Sequence, residues 1–214
     1  MFYPFALEQY LEELVPQRDP LLLEMEARSL AETIPIITPA VGNFLAWLVQ
    51  VSSAHNMLEI GTAIGYSTLW LARPAQAWGG HVTTIDLNVD RQQRAVAYFS
   101  RAGLTNTITS LAGDARKLLP SLDGAYDLVF IDAAKGEYLE YLDLVTPLMA
   151  SNGILVVDNV LFRGWVVPGS TFDPKYERMV AKLREFLARL NQNPDFATSV
   201  LPLGDGLAIS RRRS

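Results

Sequence analysis

Cysteine is absent from the 214-residue chain, and histidine is scarce, with only His55 and His81. The first absence removes thiol nucleophiles, thiolate zinc clusters and disulfides, and it is compatible with a reducing cytoplasm. Positive charge is not in surplus either: 18 Lys and Arg stand against 23 Asp and Glu, a net charge of −5. A protein that tracks a phosphate backbone shows the opposite balance, which argues against a nucleic-acid partner. No apolar run reaches the length of a membrane span, the best candidate being interrupted by Asn43 and Gln50. The opening MFYPFALEQYLEELV lacks the basic segment that begins an export signal. No repeat recurs, and the only biased stretch is Arg211, Arg212 and Arg213, read as a solvated tail. The expectation is a soluble, unprocessed cytoplasmic protein with one domain over 1–214. At this length roughly 70% of the unfolded surface can be buried, so no covalent or metal staple is required.

What is present divides at residue 55. Before it, apolar residues recur at helical spacing in Leu7, Leu11 and Leu14, and again in Leu22, Leu23, Met25 and Leu30, with Pro16, Pro20, Pro35 and Pro39 as breaks. This predicts N-terminal helices over 1–55. After it, short apolar runs at 57–60, 82–85, 108–111, 126–131 and 154–157 alternate with amphipathic stretches. Near-continuous hydrophobicity over four to six residues marks strands covered on both faces, hence a parallel α/β sheet over 56–214. Asn88 or Asp90 can cap a helix whose Ala95, Val96, Phe99 and Ala102 face inward and which Gly103 closes. Pro174 lies near the start of another, with Met179, Val180, Leu183, Phe186, Leu187 and Leu190 in one stripe. Final strands near 197–201 and 206–210, joined by Pro202, Gly204, Asp205 and Gly206, predict a hairpin and an antiparallel end to the sheet.

Open α/β sheets bind ligands beyond the carboxyl ends of their strands. The first strand is followed by Glu59-Ile60-Gly61-Thr62-Ala63-Ile64-Gly65-Tyr66-Ser67. Its glycines permit a sharp turn and the close approach of a ligand, although they also suit a turn with no ligand at all. The spacing matches neither the dinucleotide fingerprint nor a Walker loop, and Glu59 suits a cationic or hydroxyl-bearing ligand better than a phosphate. Asp86 closes the second strand, where an acid can accept both hydroxyls of a ribose. Asp114 and Ala115 follow the third, where an adenine would lie. Each of the two acids is equally readable as a helix cap. The fourth and fifth strands end in Asp132 and in Asp158-Asn159, three oxygen ligands that converge if those strands pair. Hard oxygen donors with no thiol at hand point to Mg2+ or a related ion. Lys135 can reach the same place, where a nearby cation gives it reason to lose its proton. The plainer alternative is that Asp158-Asn159 ties off a strand and Lys135 is solvated.

The ordered set LEIGTAIGYS, TTIDLN, AGDARKLLP, YDLVFIDAAKGEY, GILVVDNVLFRG and LPLGDGLAIS resembles the small cation-dependent O-methyltransferases, which include catechol and caffeoyl-CoA O-methyltransferases. The likeness runs from about Pro39 to Arg212. It implies a Rossmann-like seven-stranded sheet with the last strand antiparallel, often in a homodimer, acting on a phenolic or catechol-like acceptor. It also implies S-adenosylmethionine as cofactor, with Glu59, Gly61, Gly65, Tyr66 and Ser67 at its methionine end. Asp86 then falls on the ribose, Asp114 and Ala115 on the adenine, and Asp132 beside the cofactor. The implied metal, Mg2+ or else Ca2+ or Mn2+, falls to Asp132, Asp158 and Asn159, and the catalytic lysine is Lys135. The chain departs from the pattern at Pro39-Ala40-Val41-Gly42, where many bacterial members carry an acid in place of Ala40. Phe162, Arg163, Trp165 and Phe172 lie where acceptor specificity is shaped, with Trp165 readable as a wall of that site, an interface or core. Two other readings remain, an idle cofactor-binding module and a nicotinamide-dependent dehydrogenase.

Overall fold

The computed structural model describes residues 5–214, so residues 1–4 of the expected N-terminal helical span lie outside the described residues. Seven strands form one sheet: β1 Asn56–Ile60, β2 His81–Asp86, β3 Ile108–Ala112, β4 Tyr126–Ile131, β5 Met149–Val157, β6 Phe196–Leu201 and β7 Leu207–Arg212. Their order is β3-β2-β1-β4-β5-β7-β6. The first five pair in parallel, and β7 runs antiparallel between β5 and β6. The expected class, a mostly parallel α/β sheet with its last strand reversed, is the one observed.

The helices are α1 Phe5–Glu13, α2 Pro20–Glu32, α3 Pro39–Ser52, α4 Tyr66–Ala75, α5 Val89–Arg101, α6 Ala115–Leu118, α7 Tyr138–Val145 and α8 Glu177–Gln192. None of the described helices is long and apolar enough to cross a membrane. Strand side chains alternate between faces, so the sheet builds two cores. Met57, Leu128, Phe130 and Val156 pack with α2, α3, α4 and α5 on one side. Leu58, Ile60, Val129, Ile131, Leu155 and Val157 pack with α7 and α8 on the other.

Arg211 and Arg212, expected in a solvated tail, instead end β7, and three further expectations need correction. On α5, Asn88 is the cap, its side chain accepting from Arg91 N at 2.9 Å, but Val96 is 42% exposed and Tyr98 is buried in its place. Positions 95, 98, 99 and 102 keep the i, i+3, i+4, i+7 spacing, whereas Val96 falls off that face. Tyr98 is inward by its ring and polar at its tip, where the hydroxyl donates to Glu24 at 3.4 Å.

At the N-terminus, Leu7, Leu11, Leu14, Leu23 and Leu30 are exposed, while Leu22, Met25 and Ser29 face the core. Ser29 is tolerated there because its hydroxyl donates to the Ile34 carbonyl at 2.6 Å. Third, β5 starts at Met149, five residues ahead of its apolar run, and its pairing with β4 shifts register between Tyr126 and Leu128. The polar Ser151-Asn152 segment, with Asn152 at φ 66°, hides this beginning.

Candidate active site

A cavity of about 720 Å³ opens at the carboxyl edge of the sheet. Gly61, Tyr66, Ser67, Asp86, Asp114, Ala115, Asp132, Lys135, Asp158 and Asn159 all line it. Residues separated by about a hundred positions meet there because the parallel strands all end on the same edge. Glu59 and Gly65 stand behind this wall.

The two glycines are required by the chain's own packing. Gly61 has φ 104°, and a Cβ on it would lie 2.1 Å from the Asp132 carbonyl oxygen. Gly65 has φ 88°, and its Cβ would lie 2.4 Å from the Phe99 ring. Close contact between β1, β4 and α5 thus requires both glycines whether or not a ligand approaches them. Tyr66 donates its hydroxyl to Glu26 Oε1 at 2.6 Å, and Glu26 is also paired with Arg18. The turn after β1 is thereby tied to α2.

Glu59 is fully buried on the α4 side of β1. Thr84, its register partner on β2, donates to Oε2 at 2.5 Å, and Thr68 of α4 donates to the same oxygen. Oε1 is buried without a hydrogen-bond partner. Burial pushes the Glu59 carboxyl up to about 7, against the pull of the Thr68 and Thr84 hydroxyls. These hydroxyl partners escaped the sequence reading. The parallel pairing of β1 with β2 was the signal that could have found Thr84.

Asp86 accepts from Ala63 N at 2.6 Å and from Asn88 N at 2.7 Å, one bond to each carboxylate oxygen. Each oxygen keeps a second lone pair. Asp114 is the N-cap of α6, accepting from Arg116 N at 3.0 Å, and is also forked by the Arg116 side chain at 3.0 and 2.8 Å. The bond from Arg116 holds its carboxyl below the usual range. For Asp114 the helix-cap reading is correct. Ala115 opens the helix, where an N–H finds no partner within the helix itself.

At the β4 and β5 ends, Ile131 and Val157 are register partners, so Asp132 and Asp158 leave the sheet side by side. Burial raises both carboxyls above their ordinary value. The Asp132 charge pushes Asp158 further up, and the Lys135 ammonium pulls both down. Lys135 Nζ donates to Asn159 Oδ1 at 2.8 Å, so it belongs to this group and is not merely solvated. Among the described residues no group of three or more His, Cys, Asp or Glu side chains could hold an ion. The donor set here is two carboxylates and one amide.

Asp205 also lines the cavity, its carboxylate accepting from Arg163 N at 2.5 Å. The sequence marked it only as a turn residue. Because β6 runs parallel to β5 and β7 returns, the turn between them lands on the ligand edge. Phe162, Trp165, Phe172 and Tyr176 form one aromatic cluster, with Trp165 stacked on Phe172 at 5.7 Å and edge-on to Phe162 at 5.0 Å. Arg184 of α8 fixes this segment through the carbonyls of Trp165, Val166 and Val167. The cluster sits beyond the cavity lining, so Trp165 is not a wall of this cavity.

The arrangement presents a hydroxyl-accepting half and an oxygen-rich anionic half along one cleft. A catechol O-methyltransferase from Niastella koreensis is 34% identical over 96% of this chain and 96% of its own length. Caffeoyl-CoA O-methyltransferase 2 of Petunia hybrida is 33% identical over 98% of this chain and 91% of its own. The crystal structure of the O-methyltransferase from Bacillus cereus in complex with SAH superposes with a TM-score of 0.86. It is 28% identical, with 97% of each chain covered. The profile of the O-methyltransferase family matches residues 13–213, which is nearly the whole cleft-bearing chain, and the protein belongs to that family.

Proposed function

We propose that this chain transfers the methyl group of S-adenosylmethionine to a hydroxyl of a small catechol-like or phenolic acceptor, using a divalent cation held by Asp132, Asp158 and Asn159. The observation that carries the reading is the pair of half-buried Asp132 and buried Asp158, side by side at the ends of β4 and β5, whose ionised forms repel each other and want positive charge. Two carboxylates and an amide are hard donors suited to Mg2+, Ca2+ or Mn2+ with water completing the shell. The unpartnered, buried Oε1 of Glu59 suits the ammonium of the cofactor's methionine end. The N–H groups at the start of α4, by Tyr66 and Ser67, suit its carboxylate. Asp86 keeps lone pairs for ribose hydroxyls, and Ala115 offers its N–H to the adenine. SAH, present in the Bacillus cereus relative, is the demethylated form of this cofactor.

The cofactor supplies an electrophilic methyl group, and the cation supplies charge that favours an ionised acceptor hydroxyl. The residues of this chain do the rest. Lys135, in its amine form, accepts the hydroxyl proton at Nζ. Its bond to Asn159 keeps Nζ at the oxygen-rich end of the cleft. The cavity walls hold donor and acceptor in line and exclude water, which favours a transfer that cancels opposite charges. Pairing of two copies is part of the proposal. The exposed Leu7, Tyr10 and Leu11 of α1, Leu14 just after it, and Leu30 of α2 are apolar surface of the kind a second copy covers.

The test is mass spectrometry of products from a mixed phenolic library, with S-adenosylmethionine, after chelation and again after Mg2+ is restored. Methylated products are expected only with the cation. Full activity in the chelator would remove the cation from the reaction, and cofactor binding without turnover on any acceptor would favour an idle module.

A further inference from the structure

The corner after β5 turns on one peptide plane. The Asp158 carbonyl and the Asn159 N–H belong to the same rigid unit. The carbonyl accepts from the Tyr138 hydroxyl at 2.8 Å. The N–H donates to Oδ1 of the Asp158 carboxylate at 2.6 Å. The next residue, Asn159, has φ 58°, a left-handed conformation that asparagine adopts more readily than most non-glycine residues. Were the plane to rotate, its N–H would swing the Asp158 carboxylate away, and the Asn159 side chain, bonded to Lys135, would be re-aimed.

Tyr138 approaches this corner from behind the cleft. It is buried at the start of α7, absent from the cavity wall, and packed edge-on against Phe186 of α8 with ring centroids 5.5 Å apart. A phenylalanine would fill the same space, so packing alone does not account for the hydroxyl. We infer that Tyr138 is a positioning residue whose hydroxyl fixes the Asp158–Asn159 peptide and thereby aims the two oxygen ligands this corner presents. The inference rests on the cation site proposed above. Groups that orient ligands from outside in this way alter metal affinity by about 10- to 100-fold.

The experiment is a calorimetric titration of Mg2+ into the wild-type protein, Tyr138→Phe and Phe186→Leu, with SAH titrated separately and thermal unfolding recorded without metal. Tyr138→Phe is expected to bind Mg2+ about tenfold or more weakly while holding SAH within about twofold of wild type. Phe186→Leu keeps the hydroxyl, and is expected to unfold at lower temperature yet bind Mg2+ as wild type does. Unchanged Mg2+ affinity in Tyr138→Phe would overturn the inference, as would a parallel loss of Mg2+ and SAH binding in both variants. A wild-type protein that binds SAH but no Mg2+ would overturn the cation site itself, and the inference with it.

Discussion

The carboxylates at the two ends of the cleft are treated in opposite ways. Asp86 and Asp114, beyond β2 and β3, already accept from backbone N–H groups, and Asp114 also has Arg116. Asp132, half-buried, and Asp158, buried, stand side by side beyond β4 and β5 and are raised by desolvation. A carboxylate satisfied by neutral donors is stable as an anion and can offer its remaining lone pairs to hydroxyls. A desolvated pair with a single such donor, Asn159 N on Asp158, is stabilised in its ionised form by added positive charge. On the proposed reading one sheet edge has a hydroxyl-binding end and a cation-binding end, and the difference lies in what surrounds each acid.

The sharpest way to break this contrast is Asp132→Ala. Loss of one of three charge-bearing or polar ligands is expected to lower turnover by about three orders of magnitude, the several kcal/mol a bound cation contributes. SAH affinity measured by calorimetry should change only a few-fold, and an equal collapse of both would erase the distinction between the two ends.

A smaller effect is expected at Glu59, which lies at the hydroxyl-binding end yet is itself desolvated. Its carboxyl moves from an ordinary 4.5 to about 7 on folding. The folded state therefore keeps its proton when the unfolded state has lost it. This contribution to stability is complete below pH 4.5 and is lost as pH rises through 7. The loss is on the order of 3 kcal/mol over that window. Glu59→Gln should flatten the decline in urea-unfolding experiments from pH 4.5 to 7, and an unaltered slope would acquit this residue.

Asp114→Ala is expected to do least. It removes the α6 cap and the Arg116 pair, at about 1 kcal/mol of folding stability. A several-fold rise in KM for S-adenosylmethionine would accompany it if the adenine end depends on α6. A KM unchanged alongside the stability loss would confine Asp114 to its structural task.

The sheet was legible because its central strands are buried on both faces, which compresses each into a short apolar run, and β2, β4 and β5 meet a polar residue at the ligand end. Asp86, Asp132 and Asp158 stand out for that reason. Less legible was everything that depends on register or on a distant partner. Nothing local to Thr84 marks it as the donor to Glu59, and nothing in Gly204-Asp205-Gly206 says that this turn lands beside Asp158. Tyr98 was passed over because its hydroxyl disguises an inward ring. Leu7, Leu11 and Leu14 misled in the other direction, since periodicity reveals an apolar stripe without revealing what it faces. The glycines after β1 were rightly singled out, but their constraint comes from the Asp132 carbonyl and the Phe99 ring.

The placement of β7 carries a consequence for how this protein comes into being. The strand slots between β5 and β6, so β6 has no bonded neighbour in the sheet until β7 has been synthesised. Asp205 sits just ahead of it. A growing polypeptide halted before Leu207 would possess every side chain of the cleft and still leave the outer border of β5 bare. That state exposes an unpaired edge of the kind that aggregates. The six residues of β7 therefore seal the sheet only after every side chain of the cleft is already in the chain.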